Sequence, residues 1–207
     1  MVDRQDAEGT VRCLREQCHL APWEVADPIW MAQTLLGPES VQYVHLIATL
    51  EELHQEGDRT IIYVKRGVPE PIAQWLTGHA LSHWIRRTSC GRHGGMRSEE
   101  EALCDYVAAA LQMPHFAFQR RVNETACNLQ QLALDFGVTE TSAALRVGEV
   151  EDRPVAVVLR NRLYVAGPDW FERTPEQVKR DAVYGGPGII TTRIGDSARR
   201  TWVQYVG

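Results

Sequence analysis

The stretch Thr77-Gly78-His79-Ala80-Leu81-Ser82-His83-Trp84 decides how this chain is read. It falls inside a longer segment, Glu70 to Arg86, in which Ile72, Trp75, Leu76, His79, His83 and Arg86 recur at spacings near three and four. That period predicts a helix. Residues i and i+4 of a helix sit one above the other on the same face, so the imidazoles of His79 and His83 can reach one ion. A carboxylate from a second helix would then complete three protein ligands and leave the fourth position for water, the arrangement of an open zinc site.

The second helix is legible downstream. A loop from Thr88 to Arg97 carries Gly91, Gly94 and Gly95. Ser98 then precedes Glu101 by three residues, which predicts a capping box. Ala102 to Met113 is rich in helix formers and stops at Pro114. Glu101 can face the ion, and Asp105, one turn further on, can accept the outer N–H of a ligating imidazole and so set its tautomer and ring angle. The competing reading is that Glu101 only caps its helix while the histidines are satisfied polar residues. Glu99 and Glu100, as neighbours of Glu101, should project away from the ion on a regular helix.

At 207 residues the chain can bury a sizeable core and hold a main domain with a small appendage. A net charge of −5, with 24% charged residues, argues against a general polyanion binder. No stretch approaches a membrane span, and Met1 to Asp6 shows no basic region followed by an apolar one, so a cytoplasmic location is expected. The five cysteines, Cys13, Cys18, Cys90, Cys104 and Cys127, form no C-x-x-C pair and read as reduced thiols. A metal cluster of Cys13, Cys18 and His19 is the lesser alternative to small buried residues of a first helix.

Helical spacing is expected over residues 4–18 and 22–36, with Pro28 either kinking the second segment or marking its true start. Val41 to Leu46 and Thr60 to Lys65 read as strands, and Leu50 to Gly57 between them as a short helix. Leu129 to Thr139 followed by Thr141 to Val150 reads as helix, tight turn, helix. Such a pair could contact DNA, but its basic residues, chiefly Arg146, form no phosphate-binding stripe, and a packing element is the preferred reading. The tail suggests a hairpin, Val155 to Leu159 with Leu163 to Ala166, and two strands, Gly188 to Ile194 and Thr201 to Val206. The expected class is α+β, helices packed on a small sheet, followed by a helical pair and a β-rich tail. The expected domains are residues 1–122, 123–150 and 151–207.

Thr60-Ile61-Ile62-Tyr63-Val64, the helix with Gly78-His79-x-x-x-His83, and Glu101-x-x-Cys104-Asp105-x-Val107-Ala108-Ala109-x-Leu111-x-Met113-Pro114 resemble the ImmA/IrrE family of zinc metallopeptidase-like proteins. The helical pair, with Phe136-Gly137-Val138-Thr139 and Ala144-Leu145-Arg146, resembles the segment that follows in that family. The resemblance covers roughly residues 20–150, and the Glu101 to Pro114 segment is its most specific part. It implies a minimal gluzincin-like core, Zn2+ held by His79, His83 and Glu101, and Asp105 behind them. It also implies a partner, a cytoplasmic helix-turn-helix transcriptional repressor whose cleavage or inactivation switches on phage, mobile-element or stress genes.

One departure bears on mechanism. A zinc hydrolase of the H-E-x-x-H type has its general base directly after the first histidine, and here that position is Ala80. Hydrolysis needs a carboxylate to take a proton from water and pass it to the leaving amine, help worth about 10² to 10⁴ in rate. Alanine cannot supply it, so the expectation is an endopeptidase-type protein, catalytically dead as written. An engineered Glu-to-Ala change, made to stop self-cleavage or trap a substrate, fits the otherwise intact ligand set and is preferred. The alternative is a natural pseudoprotease that sequesters a regulator without cutting it and keeps zinc as a staple. His93, with His115 and Tyr106, is a candidate transition-state donor, though a solvent-exposed loop histidine explains His93 equally well. Trp75 and Trp84 read as core.

Overall fold

The structure is a computed structural model, and it describes residues 4–45, 48–88, 97–152, 154–159, 162–166, 177, 180, 189–192 and 200–205. It is α+β, with two compact units, Met1–Pro114 and His115–Gly207.

The first unit runs α1 (Arg4–Gln17), α2 (Pro28–Leu36), β1 (Val41–Val44), β2 (Glu51–Glu56), β3 (Arg59–Lys65), α3 (Glu70–Thr88) and α4 (Arg97–Gln112). α2 starts at Pro28, which therefore marks an N-terminus and not a kink. Asp27 caps it, accepting from the amides of Ile29 and Trp30, and proline costs nothing at a position whose N–H has no helical partner. α4 starts at Arg97, so Ser98 lies inside the helix instead of preceding it as a cap.

The stretch expected as a short helix at Leu50 to Gly57 is strand β2. It pairs antiparallel with β3, Glu56 opposite Arg59, across the two-residue loop Gly57-Asp58, where Gly57 has φ +62°. A residue at positive φ in a two-residue loop matches the right-handed twist of the flanking strands, and glycine adopts it without strain. Pairing with β3 overrides the weak strand propensity of Glu-Glu-Leu-His-Gln-Glu. β1 pairs parallel to the other side of β3, giving the sheet order β1-β3-β2 with β2 at an edge.

α3 is the central helix, packed against α4 and α2 and against β2 and β3. Its low amphipathicity follows from that position: Ala73, Leu76, Thr77, Gly78, His79, Ala80, Leu81, Ser82 and Ile85 are all buried. Close approach to α4 depends on Gly78, where an added Cβ would lie 3.3 Å from Ala108 Cα and 3.5 Å from Pro28 Cβ. The common core takes Leu14 from α1, Met31 from α2, Ile62 and Val64 from β3, Leu81 and Ile85 from α3, and Val107 and Leu111 from α4. Arg15, also buried, donates to the carbonyls of Ala21 (3.0 Å), Glu24 (2.7 Å) and Leu111 (2.9 Å), joining α1 and the loop after it to the end of α4.

The second unit contains α5 (His115–Glu124), α6 (Leu129–Phe136), α7 (Glu140–Val150) and four strands, β4 (Val155–Leu159), β5 (Arg162–Ala166), β6 (Ile189–Thr192) and β7 (Arg200–Tyr205), in the order β5-β4-β7-β6. The helical pair is built as its sequence suggests. Asn128 and Thr139 cap α6 and α7, and Gly137 closes α6 in the left-handed conformation. Arg146, the basic residue a DNA contact would have needed, is buried and paired with Glu149 at 2.8 Å. Among the described residues, no helix is long and apolar enough to cross a membrane.

Candidate metal centre

His79 and His83 lie on α3, one turn apart, and Glu101 and Asp105 lie one turn apart on α4. The packing of α3 on α4 brings these two pairs together. His79 Nε2 is 3.1 Å from His83 Nε2 and 3.3 Å from Glu101 Oε2, and His83 Nε2 is 3.5 Å from Glu101 Oε1. A tetrahedral ion with ligand bonds of about 2.0–2.1 Å separates its ligand atoms by roughly 3.3 Å. The three separations bracket that value, and the three residues form a group that could hold a metal ion.

The hydrogen-bond partners of the outer ring nitrogens strengthen the point. His79 Nδ1 is 2.9 Å from Asp105 Oδ1, and His83 Nδ1 is 3.4 Å from Glu100 Oε1. An ionised carboxylate only accepts, so each Nδ1 carries the hydrogen and each neutral ring turns the lone pair of Nε2 inward. Two such lone pairs and a carboxylate then face one another with no hydrogen among them, which is unfavourable unless a cation or a proton enters. His79 shows this. Burial alone lowers its pKa, but the hydrogen bond and charge of Asp105, with Glu51 and Glu101, raise it above the ordinary value of 6.5. His83 moves the other way: burial and the neighbouring His79 lower its pKa against the pull of Glu101 and Glu100.

The histidine side chains are sequestered, 6% and 14% exposed, whereas Glu101 is 49% exposed. The centre is thus buried on its α3 side and open toward solvent on its α4 side. The Trp75 ring lies 5.4 Å from that of His79 and packs on the core, as does Trp84.

Ala80 is 2% exposed and belongs to the hydrophobic core. Tyr106, a candidate donor to a substrate on sequence grounds, points elsewhere: its hydroxyl donates to Glu8 Oε1 at 2.7 Å, toward α1. The reason is helical phase, since Tyr106 is one residue beyond Asp105 and is turned about 100° from it and about 140° from Glu101. His115 opens α5 in the second unit, exposed, its ring edge-on to Phe116. His93 lies outside the described residues. Cys13, Cys18, Cys104 and Cys127 are free thiols, and burial pushes the Cys104 thiol up to about 12, which makes it inert; Cys90 lies outside the described residues.

Two residues enter the neighbourhood that linear spacing does not place there. Glu100 sits beside the outer nitrogen of His83 instead of projecting away from the site, because His83 is one turn further along α3 than His79. Glu51, at the start of β2, has Oε1 4.0 Å from His79 Nε2. Leu53 on the same face of β2 packs into the core, and the two-residue period of the strand turns Glu51 the same way. Burial raises the Glu51 pKa; His79 opposes that rise, and the charges of Glu101 and Asp105 add to it. The sequence signal for Glu51 is Glu56-Gly57-Asp58-Arg59, a two-residue hairpin loop.

No family model matches the chain, and no curated protein matches it. The solved structure of a Mycobacterium tuberculosis transcriptional regulator is similar, with a TM-score of 0.64 at 11% identity, over 99% of this chain and 76% of that one. At that identity the likeness is one of fold.

Proposed function

We infer that this protein is a metallopeptidase-like regulator of the ImmA/IrrE kind, with a gluzincin-like core, that holds Zn2+ through His79, His83 and Glu101. Its partner is a cytoplasmic helix-turn-helix transcriptional repressor, which it binds without cutting. The observation that carries this reading is the joint one of a converged donor set beside an alanine at position 80. Zinc bound there would serve as a staple that joins α3 to α4. Asp105 and Glu100 orient the two imidazoles, the α3 core excludes water from one side, and no carboxylate at position 80 takes a proton. The regulatory setting agrees with the naming of the mycobacterial protein of similar fold as a transcriptional regulator, a name that says nothing of the chemistry.

The test is capture of the repressors encoded beside this protein, with zinc and with a chelator. The expected result is an intact repressor retained in the presence of zinc and released by the chelator. Failure of every neighbouring repressor to bind overturns the reading. A second reading, an endopeptidase silenced by a Glu-to-Ala change, is favoured by the intact Asp105–His79 bond behind the donor set. Under it, Ala80→Glu with zinc releases repressor fragments; intact repressor after Ala80→Glu counts against it.

A further inference from the structure

We propose that Glu51 is a fourth protein donor to the metal, closing the position that an open site would leave to water. The inference rests on the reading of His79, His83 and Glu101 as ligands and goes beyond it in assigning a residue from the sheet to the same ion.

Three observations carry it. Glu51 Oε1 is 4.0 Å from His79 Nε2, at the edge of the group formed by His79, His83 and Glu101, and a change of glutamate side-chain torsions would be needed to bring it within the roughly 3.3 Å ligand-to-ligand spacing of a tetrahedral site. The side chain is sequestered, 23% exposed, on the core-facing side of an edge strand, so its carboxylate is turned to the interior of the protein. Its charged surroundings include the carboxylates of Glu101 and Asp105 as well as the imidazole of His79. Bringing the carboxylates of Glu51 and Glu101 and two inward imidazole lone pairs into one partly buried space, with Asp105 behind His79, is repulsive unless a cation or a proton enters. A divalent ion bound by Glu51 as well as by the triad neutralises charge from both α4 and β2.

The consequence is chemical. A site with four protein donors is closed, like structural zinc sites, whereas a hydrolytic one keeps a position for water or substrate. Glu51 would tie β2 to α3 and α4 through the ion, which suits a protein with no carboxylate at position 80.

The experiment uses the full chain loaded with zinc, or with cobalt(II) as a spectroscopic stand-in, and compares the parent with Glu51→Gln and His83→Ala. A Glu51 ligand predicts that azide leaves the visible spectrum of the cobalt parent unchanged and alters that of Glu51→Gln, in which a position has opened. It also predicts a zinc affinity at least about tenfold weaker in Glu51→Gln, by chelator competition, with an unchanged circular-dichroism melt in EDTA. If azide perturbs parent and Glu51→Gln alike, the fourth position is open and the proposal is overturned, while the triad stands. If His83→Ala binds zinc as tightly as the parent, the triad itself is wrong and both inferences fall.

Discussion

Asp105 on α4 holds His79 on α3: Oδ1 of the first lies 2.9 Å from Nδ1 of the second. With that nitrogen occupied by a hydrogen, the other nitrogen of His79 is left facing His83 and Glu101. The bond joins two helices at the point where the candidate ligands meet, so it acts on both ring orientation and basicity. Replacing Asp105 by Asn weakens the acceptor, and replacing it by Ala removes it. Zinc affinity should fall about 10- to 100-fold in Asp105→Ala and less in Asp105→Asn, measured by chelator competition. Equal affinity in all three proteins would show that the bond is incidental.

The pH dependence follows from the opposed behaviour of the two histidines. His79 in the metal-free protein has a pKa raised above 6.5, so its protonated form contributes stability that is fully present below 6.5 and is lost as pH rises through the raised value. His83, lowered, contributes in the opposite sense, favouring the fold above 6.5 and losing that contribution as pH falls through its lowered value. Zinc held by these two rings would need both neutral and would compete with the proton on His79. Thermal melts with and without zinc should therefore show a stabilisation by metal that grows as pH rises through the raised His79 value. A zinc effect that does not change with pH across that range would count against imidazole ligation.

Gly78 tests the packing that brings the ligand pairs together. An added Cβ would sit 3.3 Å from the Ala108 backbone, where neither helix can give way without moving the site. Gly78→Val should cost about 1–3 kcal/mol by denaturant titration and should weaken zinc binding together with stability. Full stability in Gly78→Val would mean that the two helices are not held this closely.

Arg15 tests a more distant support. Its guanidinium serves the carbonyls of Ala21, Glu24 and Leu111, the last near the end of α4, where a cation also complements the helix dipole. In Arg15→Met those buried acceptors lose their donor, and unfolding free energy should drop by at least about 1.5–3 kcal/mol. A loss within about 0.5 kcal/mol, the range of an ordinary surface change, would show that water replaces the donor without cost.

Much of the site is legible in the sequence because helices are local. The spacing of His79 and His83, that of Glu101 and Asp105, and the alanine at position 80 are properties of consecutive residues, and a period of 3.6 converts each spacing into a shared face. The caps of the second unit, Asn128, Gly137 and Thr139, are legible for the same reason. Tyr106 escapes such a reading through phase, one residue off the site-bearing face, and Arg146 through burial, which linear charge counting does not see.

Which candidate donor types the chain carries, and that they pair by helical turns, can be read from consecutive residues, since both depend on bond geometry within one segment. Long-range packing sets the rest: the two turns meet at 3.1–3.5 Å, Glu100 backs His83, and Glu51 to Glu56 forms an edge strand that brings Glu51 within 4.0 Å of His79. Those outcomes depend on partners distant in the chain: a strand takes its conformation from the neighbour it pairs with, and Glu51 reaches the site through β3 and α3, not through its own flanking residues.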